Sequence, residues 1–381
     1  IRMANEAMLE LTHHSKGPVQ LNIEALDSET WSVSEKSTLP SVRVIKRVYQ
    51  WDNLNDYALN GRRTMILIGD HVPFSESEKV AIEKFCQNNN AFVYTTHISN
   101  YHGEYSLNAV PILVGSAKGF YEKFLEPDVV ITLGGVTGDY DCLNRLSRSK
   151  KSSLEVWRVN TDGNVIDTYG KLTTVFQMRV EDFFNAFSKE NNNRDHEYFN
   201  SWLQGKQQTN TDSVDLPLSN MYVAQVLHKK IPANSFLNFA ILNSFRSWLY
   251  FDIDPSIKSF CNVGAFGIDG CLSTMLGQSF TTDDLCFLIT GDLAFYYDMN
   301  AIALRHIRNN VRILLINNNG GGEFKINTIH LQTDVSRFIA ADNHFKNAKA
   351  WVEDNGFIYY SAKTKEELNV LTDIFVRPSD K

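Results

Sequence analysis

Leu285-Cys286-Phe287-Leu288-Ile289-Thr290-Gly291-Asp292 and, further on, Val311-Arg312-Ile313-Leu314-Leu315-Ile316-Asn317-Asn318-Asn319-Gly320-Gly321-Gly322 decide how this chain folds. Each begins as an apolar run of strand length and ends in small or polar residues, and helical spacing predicts a helix over Asp298–Ile307 between them. A right-handed crossover sets two such strands parallel, so Asp292 and the Asn317–Gly322 run leave the sheet side by side at its carboxyl edge. Open α/β sheets bind ligands along that edge. A carboxylate oxygen of Asp292, an amide oxygen of Asn318 and the backbone carbonyl of Gly320 make half of an oxygen octahedron, suited to magnesium with water and phosphate in the remaining positions. Gly291 and Ala294 keep the turn slim, so that N–H groups at the start of the next helix can meet phosphate oxygens. Taken singly, the motifs read as a carboxylate cap and an Asn/Gly turn; their joint placement favours the cation site.

The same alternation extends in both directions. Strands are predicted at Met65–Ile68, Ala91–Thr95, Val129–Leu133, Leu154–Val159 and Val175–Arg179, with helices over Ser75–Asn88 and Val180–Phe187, the first opened by Ser75 and Glu78 at capping-box spacing. Towards the other end come helices at Tyr198–Gln207, Asn220–Lys230, Asp269–Gly277 and Lys365–Phe375, and strands at Phe236–Ile241 and Phe357–Tyr360. This pattern predicts an α/β fold: two successive domains with parallel sheets flanked by helices. The expected divisions are 1–28, 29–190 as a central Rossmann-like domain, and 191–381 as the domain that carries the cation site. In the first stretch a helix at Met3–His14 and a strand at Gly17–Ile23 cannot bury their own faces, so they read as the end of a preceding domain or as a cap on another chain. Polar Ser188–Glu197 reads as a linker, and the pair His13-His14 as a solvated helix end.

With 381 residues, 43% of them hydrophobic, the chain can fill cores of this size. Lys and Arg number 37 against 44 Asp and Glu, a net charge of −7 with no basic block, which argues against nucleic acid as a partner. No apolar run approaches the roughly 18 residues of a membrane span. Five cysteines without a C-x-x-C pair suggest neither a disulfide framework nor a thiolate metal site, and a reducing cytoplasm is the expected location.

Gly291-Asp292 followed by Asn317-Asn318 resembles the cofactor signature of thiamine diphosphate (ThDP) enzymes, G-D-x followed downstream by N-N. Gly264-Ala265-Phe266-Gly267-Ile268-Asp269-Gly270 with Ser273-Thr274 and Gly277 is similar to the G-A-S-G-I-D-G-x-x-S-T segment of the SEPHCHC synthases of menaquinone biosynthesis. Asp298-Met299-Asn300, Asn243-Ser244, Trp157-Arg158-Val159 with Asp162-Gly163, and Gly17-Pro18-Val19 also match, so the resemblance spans nearly the whole chain.

The resemblance implies that 191–381 is the ThDP diphosphate-binding domain, with Asp292, Asn318 and Gly320 on Mg²⁺ or Mn²⁺. Ile268, Gly291, Leu293, Ala294 and Phe324 would complete the cofactor site. Ile268 would act in catalysis as the apolar wedge that bends the cofactor; by its residue type alone it is a buried apolar side chain in a Gly-flanked turn. The family also implies a homodimer or tetramer with the site shared between subunits, and the small residues Gly270, Ser273 and Gly277 suit either a dimer seam or core packing. Residues 1–28 would end a pyrimidine-binding domain whose glutamate activates the cofactor, leaving this stretch of chain inactive alone. The reaction implied is decarboxylation of a 2-oxo acid and transfer of the resulting acyl-anion equivalent to an acceptor, 2-oxoglutarate and isochorismate in the family, the cofactor serving as electron sink.

The departures concern substrate recognition. Val263 and Trp248 stand where the family has arginines, with Arg246 two residues early, and Asp139 and Tyr140 follow Gly134–Gly138 where a Lys-Arg pair is common. Glu323 replaces an apolar residue before Phe324. Arginine forks bind carboxylates bidentately, so these changes imply other substrates or a divergent branch. Competing readings are a non-catalytic ThDP-fold assembly protein and an acetolactate-synthase-like carboligase.

Overall fold

The computed structural model describes residues 1–23, 42–116, 119–188, 196–209, 211–264, 266–327, 338, 340–341 and 343–378. The divisions expected near 28 and 190, most of the Ser188–Glu197 linker and Ala265 lie outside the described residues.

Seven strands form the first sheet: β1 (Lys46–Tyr49), β2 (Thr64–Ile68), β3 (Ala91–Thr95), β4 (Ser106–Asn108), β5 (Val129–Leu133), β6 (Glu155–Val159) and β7 (Leu172–Gln177). They are parallel, in the order β1-β7-β6-β5-β2-β3-β4. β2 and β3 are buried at every position, because helices cover both faces and a continuous apolar run has no solvent side to avoid. The helix Glu76–Asn88 has its capping box intact: Ser75 Oγ accepts from the Glu78 N–H while Glu78 reaches back to the Ser75 N–H. Phe85 on this helix meets Phe184 of the helix Val180–Phe187 edge-on at 5.1 Å.

The second sheet has β8 (Phe236–Phe239), β9 (Lys258–Cys261), β10 (Cys286–Gly291) and β11 (Val311–Ile316), parallel, in the order β11-β10-β8-β9. Gly291 pairs with Ile316, so Asp292 and Asn317 are adjacent at the strand ends, as the crossover argument requires. The order reverses between β8 and β10, which makes that gap the switch point of this sheet.

One apolar core runs from the first sheet into the second, and a smaller one lies beneath the helix Cys271–Ser279. Hydrogen bonds join the two halves: His97 Nε2 to the Trp248 carbonyl at 2.8 Å, Asn100 Nδ2 to the Ser259 carbonyl at 2.8 Å, and the Ser259 N–H back to Asn100 Oδ1 at 2.8 Å. Among the described residues, no helix is long and apolar enough to cross a membrane.

Four local expectations are corrected. The helix expected over Asp298–Ile307 is instead a short helix Asp292–Tyr297 followed by a 3₁₀ turn Met299–Ala303. Asp298 Oδ2 accepts from the Ser273 N–H at 2.6 Å and Oγ at 2.8 Å, so its carboxylate serves the start of another helix. Phe357–Tyr360 and Gly17–Ile23 alternate in hydrophobicity but are not strands, since neither pairs with a sheet edge. His13 is buried rather than solvated, its Nδ1 on Glu10 at 3.0 Å and its Nε2 on Gln177 at 3.1 Å.

Candidate functional site

The carboxyl ends of all four strands of the second sheet contribute to one corner. β8 leads to Asn243, β9 to Asn262 and the turn carrying Ile268, β10 to Gly291 and Asp292, and β11 to Asn317–Gly322. Asn262 ties the second of these segments to the first, its Oδ1 accepting the Ile241 N–H at 3.1 Å and its Nδ2 donating to the Gly267 carbonyl. Ile268 follows directly, half-buried and in contact with both apolar cores. Cys271, one turn on, lies 3.9 Å from Thr290 Oγ1, which brings the Ile268 turn to the end of β10.

Asp292 is 2% exposed. At an open sheet edge a carboxylate would be expected to reach solvent; the structure buries this one because the loop after β11 folds over it. Its Oδ1 accepts the Leu293 N–H at 2.7 Å, and its Oδ2 accepts the Gly320 N–H at 2.9 Å and a bond from His344 Nε2 at 3.0 Å. The Leu293 N–H, expected to face phosphate, is thus taken by the neighbouring carboxylate. Gly320 holds φ at +147°, a conformation that favours glycine, and a Cβ on Gly321 would come within 2.9 Å of the Phe324 ring and 3.4 Å of Leu293. Phe324 therefore packs over the loop beside Leu293. Asn318 is exposed, and its Nδ2 lies 3.1 Å from where a Cβ on Gly322 would stand, with Asn243 Nδ2 at 3.5 Å. Ala294, on the short helix after Asp292, is buried.

The loop is braced by a segment that sequence reasoning missed. The Gly321 N–H donates to the Ala340 carbonyl at 2.7 Å, the Asn343 N–H to the Asn319 carbonyl at 2.8 Å, and Asn317 Nδ2 to the Lys346 carbonyl at 2.8 Å. His344, one histidine among ten, carries no spacing that marks it. Beside it Tyr296 Oη is buried with no hydrogen-bond partner among the described residues, and burial, then the Asp292 and Tyr359 charges, push that phenol up from its ordinary value.

These residues fit a hard cation holding a diphosphate. Asp292 offers a buried carboxylate, Asn318 and the Gly320 carbonyl are neutral oxygen donors on the adjoining loop, and Tyr296 adds a hydroxyl with no hydrogen-bond partner among the described residues. Among the described residues no three His, Cys, Asp or Glu side chains gather into a cage. One carboxylate with neutral oxygens leaves positions for water and phosphate.

Of the departures from the family pattern, two are core residues: Val263 and Trp248 are each 1% exposed. Asp139 is buried, bonds the Tyr94 hydroxyl and caps the helix Tyr140–Arg148, and burial pushes its carboxyl up. Arg246, Tyr140 and Glu323 do meet. Arg246 Nη1 donates to both Glu323 oxygens at 2.9 and 3.1 Å, and its guanidinium lies 4.0 Å above the Tyr140 ring. The Trp157-Arg158-Val159 and Asp162-Gly163 motif is a structural clasp, with Arg158 bidentate on Asp162 at 2.5 and 2.9 Å.

No family model matches the chain. Compared with curated proteins, it is 32% identical over 403 aligned positions to the 2-succinyl-5-enolpyruvyl-6-hydroxy-3-cyclohexene-1-carboxylate synthase of Bacteroides fragilis, covering 99% of this chain and 68% of that protein. The proteins of the same name from Bacteroides thetaiotaomicron and Phocaeicola vulgatus are 32% and 31% identical, each over 99% of this chain and 68% of the relative.

Proposed function

The chain belongs to the 2-succinyl-5-enolpyruvyl-6-hydroxy-3-cyclohexene-1-carboxylate (SEPHCHC) synthase family, and from that premise we propose that it is a ThDP- and Mg²⁺-dependent synthase of menaquinone biosynthesis, cytoplasmic and homo-oligomeric. The observation that carries the reading is a buried Asp292 carboxylate at the β8/β10 switch point, beside the Asn317–Gly322 loop.

In this proposal Asp292, Asn318 and the Gly320 carbonyl hold the cation, and Gly291 and Ala294 keep the approach slim for a diphosphate. Bound ThDP supplies an electron sink that lets a 2-oxo acid lose CO₂ and join an acceptor. Ile268, Leu293 and Phe324 give an apolar wall that excludes water and orients the reacting ring. Ile268 suits a wedge because its backbone is pinned through Asn262 and its side chain is backed by both cores. The proposed substrates are 2-oxoglutarate and isochorismate.

A second reading rests on the Arg246–Glu323 pair. The arginine at the substrate side of the loop is already neutralised by a carboxylate, which favours a divergent synthase whose substrates carry fewer carboxylates.

Product analysis of the protein with ThDP, Mg²⁺, 2-oxoglutarate and isochorismate tests the first reading: CO₂ release with one SEPHCHC per CO₂ is expected. CO₂ release that other acceptors match or exceed supports the second, and no CO₂ with any 2-oxo acid sinks both. The cofactor reading has its own test in thermal stability. ThDP at about 100 times its Kd stabilises the native state by roughly 2.7 kcal/mol; EDTA should remove the gain and unphosphorylated thiamine should not produce it.

A further inference from the structure

The Asp292 carboxylate is aimed by a residue outside both motifs. Its Oδ1 takes one donor, the Leu293 N–H, and its Oδ2 takes two, the Gly320 N–H and His344 Nε2. The tautomer of His344 follows from its other nitrogen. Nδ1 lies 2.9 Å from the Lys346 backbone N–H, which can only donate, so Nδ1 accepts and the ring proton sits on Nε2, pointing at Asp292. The ring plane is held as well, because Tyr296 packs edge-on against it at 5.6 Å and 89°. Asn343 and Phe345 on either side adopt φ of +57° and +51°, a region non-glycine residues occupy where their surroundings impose it.

A carboxylate has about four lone-pair positions. Three donors fill three of them, two on Oδ2, and the open position is on Oδ1. We infer that His344 is a positioning residue for the cation site: as a neutral Nε2–H donor it holds Oδ2 back and leaves Oδ1 turned to the cation. This rests on the reading of Asp292 as a magnesium ligand. Carboxylates commonly orient metal-binding histidines through this same hydrogen bond; here the imidazole orients the metal-binding carboxylate. In this arrangement His344 is not itself a ligand of the cation.

Calorimetric titration of Mg²⁺ into the protein with saturating ThDP tests the inference, using the unaltered protein, His344→Ala and His344→Gln. Loss of an orienting partner typically weakens a metal site about 10- to 100-fold, and that is the expected rise in Mg²⁺ Kd for His344→Ala, with the ligand-free melting temperature held to within a few degrees. His344→Gln, whose amide also donates, should recover most of the loss, which a merely structural role would not predict. Should the alanine variant fail to fold, His344→Asn takes its place, since its amide stops short of Asp292. Unchanged Mg²⁺ affinity in the alanine variant overturns the inference, as does tighter affinity, which would mean that the ring competes with the cation. A glutamine variant no better than alanine also overturns it. If the unaltered protein takes up no ThDP with Mg²⁺, the assignment of Asp292 falls and the inference with it.

Discussion

At the Asp292 corner a buried carboxylate is met by the backbone N–H groups of Leu293 and Gly320 and a neutral imidazole, whereas at the Arg246 corner a guanidinium on the short helix Asn243–Arg246 is closed between the carboxylate of Glu323, three residues beyond Gly320, and the Tyr140 ring. The first corner holds a carboxylate out of water, with His344 rather than a Lys or Arg against it among the described residues. An ionised group in that setting is costly unless a counter-charge arrives. The second corner is already neutral, and its charges cancel whether or not anything binds. The contrast separates a carboxylate that keeps a lone-pair position open from a guanidinium whose charge the protein itself cancels.

The sharpest way to break the contrast is Asp292→Asn, which removes the charge while keeping the shape. Mg²⁺-dependent ThDP binding should vanish in calorimetry, and stability should fall by about 1–3 kcal/mol because an amide N–H would face donors. Retained Mg²⁺ dependence would mean that the charge at this corner serves the fold alone.

The junction between the two sheets is held in part by His97. Burial keeps the His97 imidazole down at about 4 against an ordinary 6.5. Between these values the unfolded chain binds a proton that the folded chain does not, so stability is intact above pH 6.5 and falls as pH drops towards 4. The full loss is on the order of 3 kcal/mol. Urea unfolding at pH 7 and pH 4.5 should show most of this difference, and His97→Gln, which still donates to the Trp248 carbonyl, should flatten it.

Ile268→Ala probes the wall between the corners. Turnover should drop about 10- to 100-fold through misplacement of the reacting groups while ThDP affinity holds, since the diphosphate anchor is untouched. A fall in affinity at unchanged turnover would make Ile268 ordinary packing.

The smallest effect is expected at Glu323→Gln, which frees the Arg246 charge. The KM for a carboxylate-bearing 2-oxo acid should fall several-fold, consistent with about 1 kcal/mol for this largely covered pair. An unchanged KM with a lowered melting temperature would reduce the pair to a fastener between loop and helix.

Much of this architecture was legible in local sequence. β3 and β5 match their predicted spans, and β10 and β11 end where the Gly291-Asp292 and Asn317-Asn318 motifs begin, because a run of apolar residues closed by small polar ones carries its burial and its end within a few positions. The Ser75–Glu78 capping box was readable for the same reason: donor and acceptor lie within one turn. Tertiary structure alone decided the rest. Phe357–Tyr360 has the alternation of a strand but no partner, and pairing is a property of two segments, never of one. The carboxylate of Asp298 went to Ser273, twenty-five residues back in the chain, instead of supporting a helix of its own. His344 reaches Asp292 across 52 residues, and Arg246 reaches Glu323 across 77. Periodicity and motif spacing record how each segment meets water and its near neighbours. Which distant side chain completes a carboxylate's hydrogen bonds, or cancels a guanidinium, depends on how the loops close over the sheet edge, and only the folded chain brings those groups together.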